Sequence, residues 1–127
     1  MSRFLFVDDD PVILQICSAY FGAKGHNVTV ARDGADGFKK FSMTRYDLVV
    51  TDLMMPNKHG YQLIDAIKHS PTGEKTPVIL LTADKDEPEL DKYARHHFQD
   101  DTLTKPFDMP ILERKINDLL REFAERG

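Results

Sequence analysis

Apolar and polar positions along the chain fall into short blocks whose period switches repeatedly. Phe4-Leu5-Phe6-Val7 is a continuous apolar run of strand length, stopped by Asp8-Asp9-Asp10-Pro11. Ile13, Ile16, Cys17, Tyr20 and Phe21 then recur at helical spacing. Asp10 suits the N-cap of that helix, Pro11 its first position and Gly25 its end. Val28-Thr29-Val30 alternates and predicts a second strand. Asp33 is a candidate cap for a second helix with Ala35, Phe38 and Phe41 inward. Tyr46 to Thr51 predicts the third strand, and a third helix follows Gly60 with Leu63, Ile64 and Ile67 inward. Ser70 to Lys75 reads as a polar loop and Val78-Ile79-Leu80-Leu81-Thr82 as the fourth strand. Pro88 opens a fourth helix with Leu90, Tyr93, Ala94 and His97 on one face. Thr102-Leu103-Thr104 is a short fifth strand before Lys105-Pro106. The last helix carries Leu112, Ile116, Leu119, Leu120 and Phe123, with Glu113, Arg114 and Asp118 off that face.

Strands alternating with helices predict an α/β fold with right-handed crossovers and a parallel sheet. The first, third and fourth strands are apolar throughout, so both their faces must be covered. The second and fifth alternate with threonine and suit the edges. The order that satisfies both patterns and keeps sequential strands close is 2-1-3-4-5. This is a doubly wound, flavodoxin-like sheet of five strands with five helices, and its topological switch point lies between strands one and three.

Composition narrows the class without naming a function. The chain has 127 residues, 41% hydrophobic and 30% charged, which suits one domain over 1–127. The net charge is -4 and the basic residues are scattered, which argues against direct nucleic-acid binding. No apolar run reaches the ~18 residues of a membrane span, and Met1-Ser2-Arg3 leads into Phe4 without a secretory pattern. The single cysteine, Cys17, forms no internal disulfide, which points to a reducing cytoplasm, and its place on an apolar helical face marks it as core filler.

The predicted switch point carries the chemistry. Asp8 and Asp9 follow strand one, and Asp52 ends the run Leu48-Val49-Val50-Thr51-Asp52-Leu53-Met54-Met55-Pro56. Three carboxylates in one crevice repel, so either one is protonated or a cation sits among them. A hard divalent ion with oxygen ligands, Mg²⁺ above all, resolves the conflict. Thr82 lies at the same end of strand four and Lys105 at the same end of strand five. A hydroxyl and an ammonium facing a metal and a carboxylate form a phosphoryl-transfer set in which a carboxylate can be the nucleophile.

At these residues the whole chain resembles the receiver domain of two-component response regulators. The resemblance rests on Phe6-Val7-Asp8-Asp9-Asp10-Pro11, Val49-Val50-Thr51-Asp52-Leu53-Met54-Met55-Pro56, Leu80-Leu81-Thr82-Ala83 and Leu103-Thr104-Lys105-Pro106-Phe107. The strand order above is also that of chemotaxis receivers, so it is not independent of the resemblance. The resemblance implies a signalling switch, not a turnover enzyme apart from self-phosphorylation from a phosphodonor and slow autodephosphorylation. Asp52 would accept a phosphoryl group from a histidine kinase or histidine phosphotransfer protein. Asp9, Asp52 and the carbonyl of Met54 would bind Mg²⁺ directly and Asp8 mainly through water. Thr82 and Lys105 would hold the phosphoryl oxygens, and the Lys105-Pro106 bond would be cis. Output would pass through contact with an unnamed protein, from a monomer or weak dimer. The chain would be a stand-alone regulator, a phosphorelay intermediate or a receiver excised from a larger protein, and Met1 directly before the first strand and a complete last helix favour the first two.

The chain also departs from the family pattern. His59-Gly60 stands where Asp-Gly is common, and Phe98-Gln99-Asp100-Asp101-Thr102 replaces a Gly-Ala-x-x-Tyr or Phe stretch. Thr102 replaces the aromatic that turns inward on phosphorylation in this family, which implies retained phosphoryl chemistry with an altered or weak output switch. Met54 and Asp84, two residues beyond Asp52 and Thr82, flank the path of attacking water. Met54 cannot orient a water by hydrogen bonding, so autodephosphorylation should be slow. A pseudo-receiver, a constitutive scaffold that needs no phosphate, is the alternative of a different class.

Other motifs carry less. Asp8-x-Asp10-x-Val12 matches the opening of haloacid-dehalogenase-type phosphatases, with Asp8 as nucleophile. Against that reading, Pro11 starts a helix at once, Asp100-Asp101 precedes Lys105 instead of following it, and Asp52 has no task. His96-His97 point to different helix faces and make a poor chelate, and His26 and His69 sit in turns. No Gly-x-Gly-x-x-Gly or Walker loop occurs, and Lys39-Lys40 reads as a solvated helix face.

Overall fold

The computed structural model describes residues 2–53, 60–82 and 100–126. Five parallel strands, β1 (Arg3–Val7), β2 (Asn27–Ala31), β3 (Leu48–Asp52), β4 (Val78–Thr82) and β5 (Asp101–Thr104), form one sheet in the order 2-1-3-4-5. Among the described residues four helices flank it: α1 (Pro11–Gly22), α2 (Gly34–Met43), α3 (Gly60–Lys68) and α4 (Met109–Glu125). The expected helix over 88–97 lies outside the described residues, as do Met54, His59, Asp84, His96, His97 and Phe98. None of the described helices is long and apolar enough to cross a membrane.

The apolar strands explain the layering. Successive strand residues point to opposite faces. Leu5, Val7, Val49 and Leu80 therefore pack on Phe41 of α2 and on Leu63, Ile64 and Ile67 of α3. Phe4, Phe6, Leu48, Val50, Ile79 and Leu81 pack on Leu14, Cys17 and Phe21 of α1 and on Leu112, Ile116 and Leu119 of α4. Each large side chain so buried contributes about 1.5–3 kcal/mol. β3 and β4 are buried at every position, whereas β2 and β5 are partly exposed and lie at the edges, as their threonines require.

Local chemistry sets the helix starts. Asp10 caps α1 by accepting from the Val12 amide at 2.9 Å, with Pro11 in the first turn. Asp33 caps α2 by accepting from the Asp36 amide at 2.7 Å.

Several expectations need correction. α1 stops at Gly22, and Gly25 instead supplies the left-handed turn (φ 91°) that leads into β2. Ile16 is 51% exposed, because Leu14, Cys17 and Phe21 take the inward stripe. Ala35 is exposed, since α2 turns Gly34 and Gly37 inward for close approach. β3 pairs only from Leu48, while Tyr46 is buried and stacks on Phe41. The Ser70–Lys75 stretch includes a 3-10 turn, Gly73–Lys75. Lys40 is no solvated charge: its ammonium donates to Val30 O at 2.6 Å and pairs with Asp36, covering a carbonyl of the edge strand β2.

An ion pair pins the end of the sheet away from the carboxylate cluster. Asp100 Oδ2 accepts from Lys68 Nζ at 2.9 Å and from the Val78 amide at 2.7 Å. The Lys68 side chain is only 7% exposed. Asp100→Ala would leave this ammonium without its carboxylate and the Val78 N–H without its acceptor. The expected loss is about 2–4 kcal/mol in urea unfolding, with a smaller loss for Asp100→Asn. A loss for Asp100→Ala inside about 0.5 kcal/mol would show that the pin carries no weight.

Candidate functional site

The carboxyl ends of β1, β3, β4 and β5 meet at one crevice. β1 runs out at Val7, and the Asp8 amide still donates to Ala31 O at 3.1 Å, so Asp8 continues the strand line and is buried. Its Oδ1 accepts from the Asp10 amide at 2.9 Å and its Oδ2 from Lys105 Nζ at 2.7 Å. Asp9, next in sequence, is exposed. Asp52 is the last residue of β3 and is buried, and its Oδ1 accepts from the Leu53 amide at 2.9 Å. Lys105 Nζ lies 3.4 Å from that same oxygen. One oxygen from each of Asp8, Asp9 and Asp52 falls within 4.8 Å of the others. Three carboxylates thus face one ammonium.

The electrostatics follow. Burial, and after it the charge of Asp8, raises the Asp52 carboxyl from its ordinary 3.8 to about 6, against the opposing pull of Lys105. Burial works against the Lys105 ammonium, but the hydrogen bond to Asp8 and the charges of Asp52 and Asp8 outweigh it and raise its pKa. Cys17, behind the site, has its thiol pushed up to about 12 by burial and then by Asp8, so it is an inert core group.

The remaining expected residues fall as follows. Thr82 ends β4, buried, and its carbonyl accepts from the Lys105 amide at 2.7 Å. The Lys105-Pro106 bond is cis. The structure therefore brings Asp8, Asp9, Asp52, Thr82 and Lys105 to one end of the sheet, and Met54 lies outside the described residues. Two contributors were not legible as such. Asp10 caps α1, and its amide also fixes Asp8. Gly60 packs on the backbone of Asp52 and Leu53, and the only signal for it was a glycine between the strand-end aspartate and the next helix.

The family model described as the response regulator receiver domain matches residues 4–117. The chain belongs to this family. As a receiver, it is not a conventional enzyme. Response regulator RR06 of Streptococcus pneumoniae is 34% identical over 125 residues, covering 95% of this chain and 54% of that protein. The chain spans about half the length of the curated relatives it matches. The Thermotoga maritima response regulator TrrA, solved in complex with Mg²⁺-BeF, superposes with a TM-score of 0.80 at 30% identity, covering 94% of this receiver and 99% of that chain. The receiver domain of sensor histidine kinase PA1611 from Pseudomonas aeruginosa, solved with a magnesium ion in its active-site cleft, gives 0.86 at 27% identity, covering 94% and 97%.

The raised Asp52 carboxyl has a consequence for the metal-free receiver. Between its ordinary pKa and about 6 the native state binds the proton more tightly than the unfolded chain. Stability from this group is therefore full at low pH and is lost as pH rises through 6. Asp52→Asn should raise the melting temperature at pH 7.5 without metal by about 5 °C, and the gain should vanish near pH 4. Scanning calorimetry at the two pH values checks the sign; a gain that is larger at pH 4 would refute it.

Proposed function

We propose that residues 1–127 act as a single receiver whose Asp52 accepts a phosphoryl group from a histidine kinase or histidine phosphotransfer protein, with Mg²⁺ bound beside it. The observation that carries the reading is the excess of carboxylate over ammonium at the crevice. Asp9 and Asp52 present oxygens within 4.8 Å, while both Asp8 oxygens already accept hydrogen bonds from Lys105 and Asp10. That donor set fits a hard divalent cation held directly by Asp9, Asp52 and the carbonyl of Met54, with Asp8 acting mainly through water. Mg²⁺ when bound supplies positive charge against the phosphoryl oxygens.

The residues divide the work. An Asp52 oxygen attacks phosphorus, the new P–O bond forms as the bond to the donor imidazole nitrogen breaks, and the donor leaves with that electron pair. Lys105 reaches Asp8 and Asp52 together and is placed to hold one phosphoryl oxygen. Thr82, on the neighbouring strand end, is placed to donate to another. Asp8 as a phosphatase nucleophile fits poorly, because its oxygens are engaged and only Asp8, Asp9 and Asp10 separate β1 from α1.

The donor's approach has a surface available. Val12 and Ile16, one turn apart on α1, are 59% and 51% exposed. Ile13 and Ile16 also line an apolar crevice of about 270 Å³ with Lys105, Pro106, Phe107 and Met109. Thr102, half-buried in β5 opposite Leu80, stands where an aromatic would couple the site to output, so the output switch is altered.

Phosphorylation with a small phosphodonor and Mg²⁺, read by intact mass and peptide mapping, should place one phosphoryl group on Asp52. Asp52→Asn or omission of Mg²⁺ should abolish it. No uptake by folded protein would favour the pseudo-receiver, and label on Asp8 would favour the phosphatase. Ile16→Glu should slow transfer from a phosphohistidine donor about tenfold or more while leaving the small-donor rate unchanged, and equal slowing with both donors would refute the docking role. With Met54, autodephosphorylation should be slow, and an unchanged decay in Met54→Asn would remove the reason given for it. Amide signals of β5 should move less than those around Asp52 on binding a phosphoryl mimic; equal shifts would refute the altered switch.

A further inference from the structure

Gly60 opens α3, eight residues after the phosphoacceptor, and its backbone lies directly on the end of β3. A Cβ at this position would sit 2.2 Å from the Asp52 carbonyl oxygen, 2.9 Å from Leu53 Cα and 3.1 Å from the Asp52 carbonyl carbon. These are backbone atoms, so no side-chain rotation relieves the overlap. The glycine is not there for a left-handed turn, since among the described residues only Gly25 has positive φ. It is there for close approach.

The peptide it presses on is the one that holds the reactive carboxylate. The Gly60 amide donates to Leu53 O at 3.0 Å. The Leu53 amide in turn donates to Asp52 Oδ1 at 2.9 Å and to Leu81 O at 2.9 Å. The same Oδ1 lies 3.4 Å from Lys105 Nζ. A methyl group at position 60 must push the Asp52–Leu53 peptide away, and the N–H that aims the carboxylate moves with it.

We propose that Gly60 is a positioning residue for phosphoryl transfer: by admitting α3 onto the Asp52–Leu53 peptide, it fixes the Leu53 amide that orients the Asp52 carboxylate. The inference rests on the reading of Asp52 as phosphoacceptor. A displacement of several tenths of an ångström at a nucleophile is costly even where the fold survives.

The test measures phosphoryl uptake from acetyl phosphate at saturating donor and Mg²⁺ in the full chain, per folded molecule. Gly60→Ala should be slowed about tenfold to a hundredfold, with a displaced Leu53 amide proton resonance. Asp100→Ala, which loosens the opposite end of the sheet, should melt earlier yet retain the wild-type rate and the wild-type Leu53 resonance. A second variant avoids the steric load: an ester in place of the Asp52–Leu53 amide puts an oxygen where the N–H was, removes its bonds to Asp52 Oδ1 and Leu81 O, and should slow uptake likewise. If wild-type protein takes up phosphate and either Gly60→Ala or the ester variant keeps its rate, the positioning role is wrong. Slowing of Asp100→Ala to the same degree would also overturn it, since general loosening would then suffice. Absence of uptake by the wild type overturns the reading of Asp52, and the inference with it.

Discussion

Lys105 has to satisfy two carboxylates at once while a third stands within reach, and the geometry of this end of the molecule is arranged around that shortage of positive charge. Its ammonium lies 2.7 Å from Asp8 and 3.4 Å from Asp52. The lysine belongs to the segment after the edge strand β5, and the two aspartates end β1 and β3 near the middle of the sheet. The contact exists only if four strands finish at the same level. Burial, and after it the charge of Asp8, still raises the Asp52 carboxyl to about 6 against the pull of Lys105, and the excess of negative charge is why a divalent cation suits the crevice.

Holding like charges together requires a frame that does not relax. The two cores on opposite faces of the sheet supply it, with β3 and β4 buried along their whole length. Close packing transmits displacement instead of absorbing it. The backbone adds finer control: the Asp10 amide fixes one Asp8 oxygen, the Leu53 amide fixes one Asp52 oxygen, and the carbonyl of Thr82 holds the Lys105 amide. Burial makes the Asp52 charge unfavourable in the metal-free receiver.

The apolar surface beside the crevice arises from a competition along α1. The spacing of Ile13, Ile16, Cys17, Tyr20 and Phe21 admits more than one inward stripe. Leu14, Cys17 and Phe21 meet Phe4 and Phe6 across the sheet, so Ile16 is left outside near Lys105. An excess of apolar residues over what the core can seat is left as an apolar surface beside the crevice.

The sequence by itself determined the elements that local chemistry controls. Continuous apolar runs marked the doubly covered strands, threonine alternation marked the edges, and Asp10, Pro11 and Asp33 marked helix starts. Asp8, Asp9, Asp52, Thr82 and Lys105 were legible because each lies at or just beyond the end of a strand, where the fold class gathers them. The tertiary structure decided what depends on distance between segments far apart in the chain. Whether Ile16 or Leu14 turned inward, whether Lys40 reached the β2 carbonyl, and whether Asp100 met Lys68 are contacts that no local period encodes. Gly60 belongs to the same class: its missing Cβ has meaning only against the Asp52 carbonyl, and that meeting is fixed by how α3 packs on the sheet.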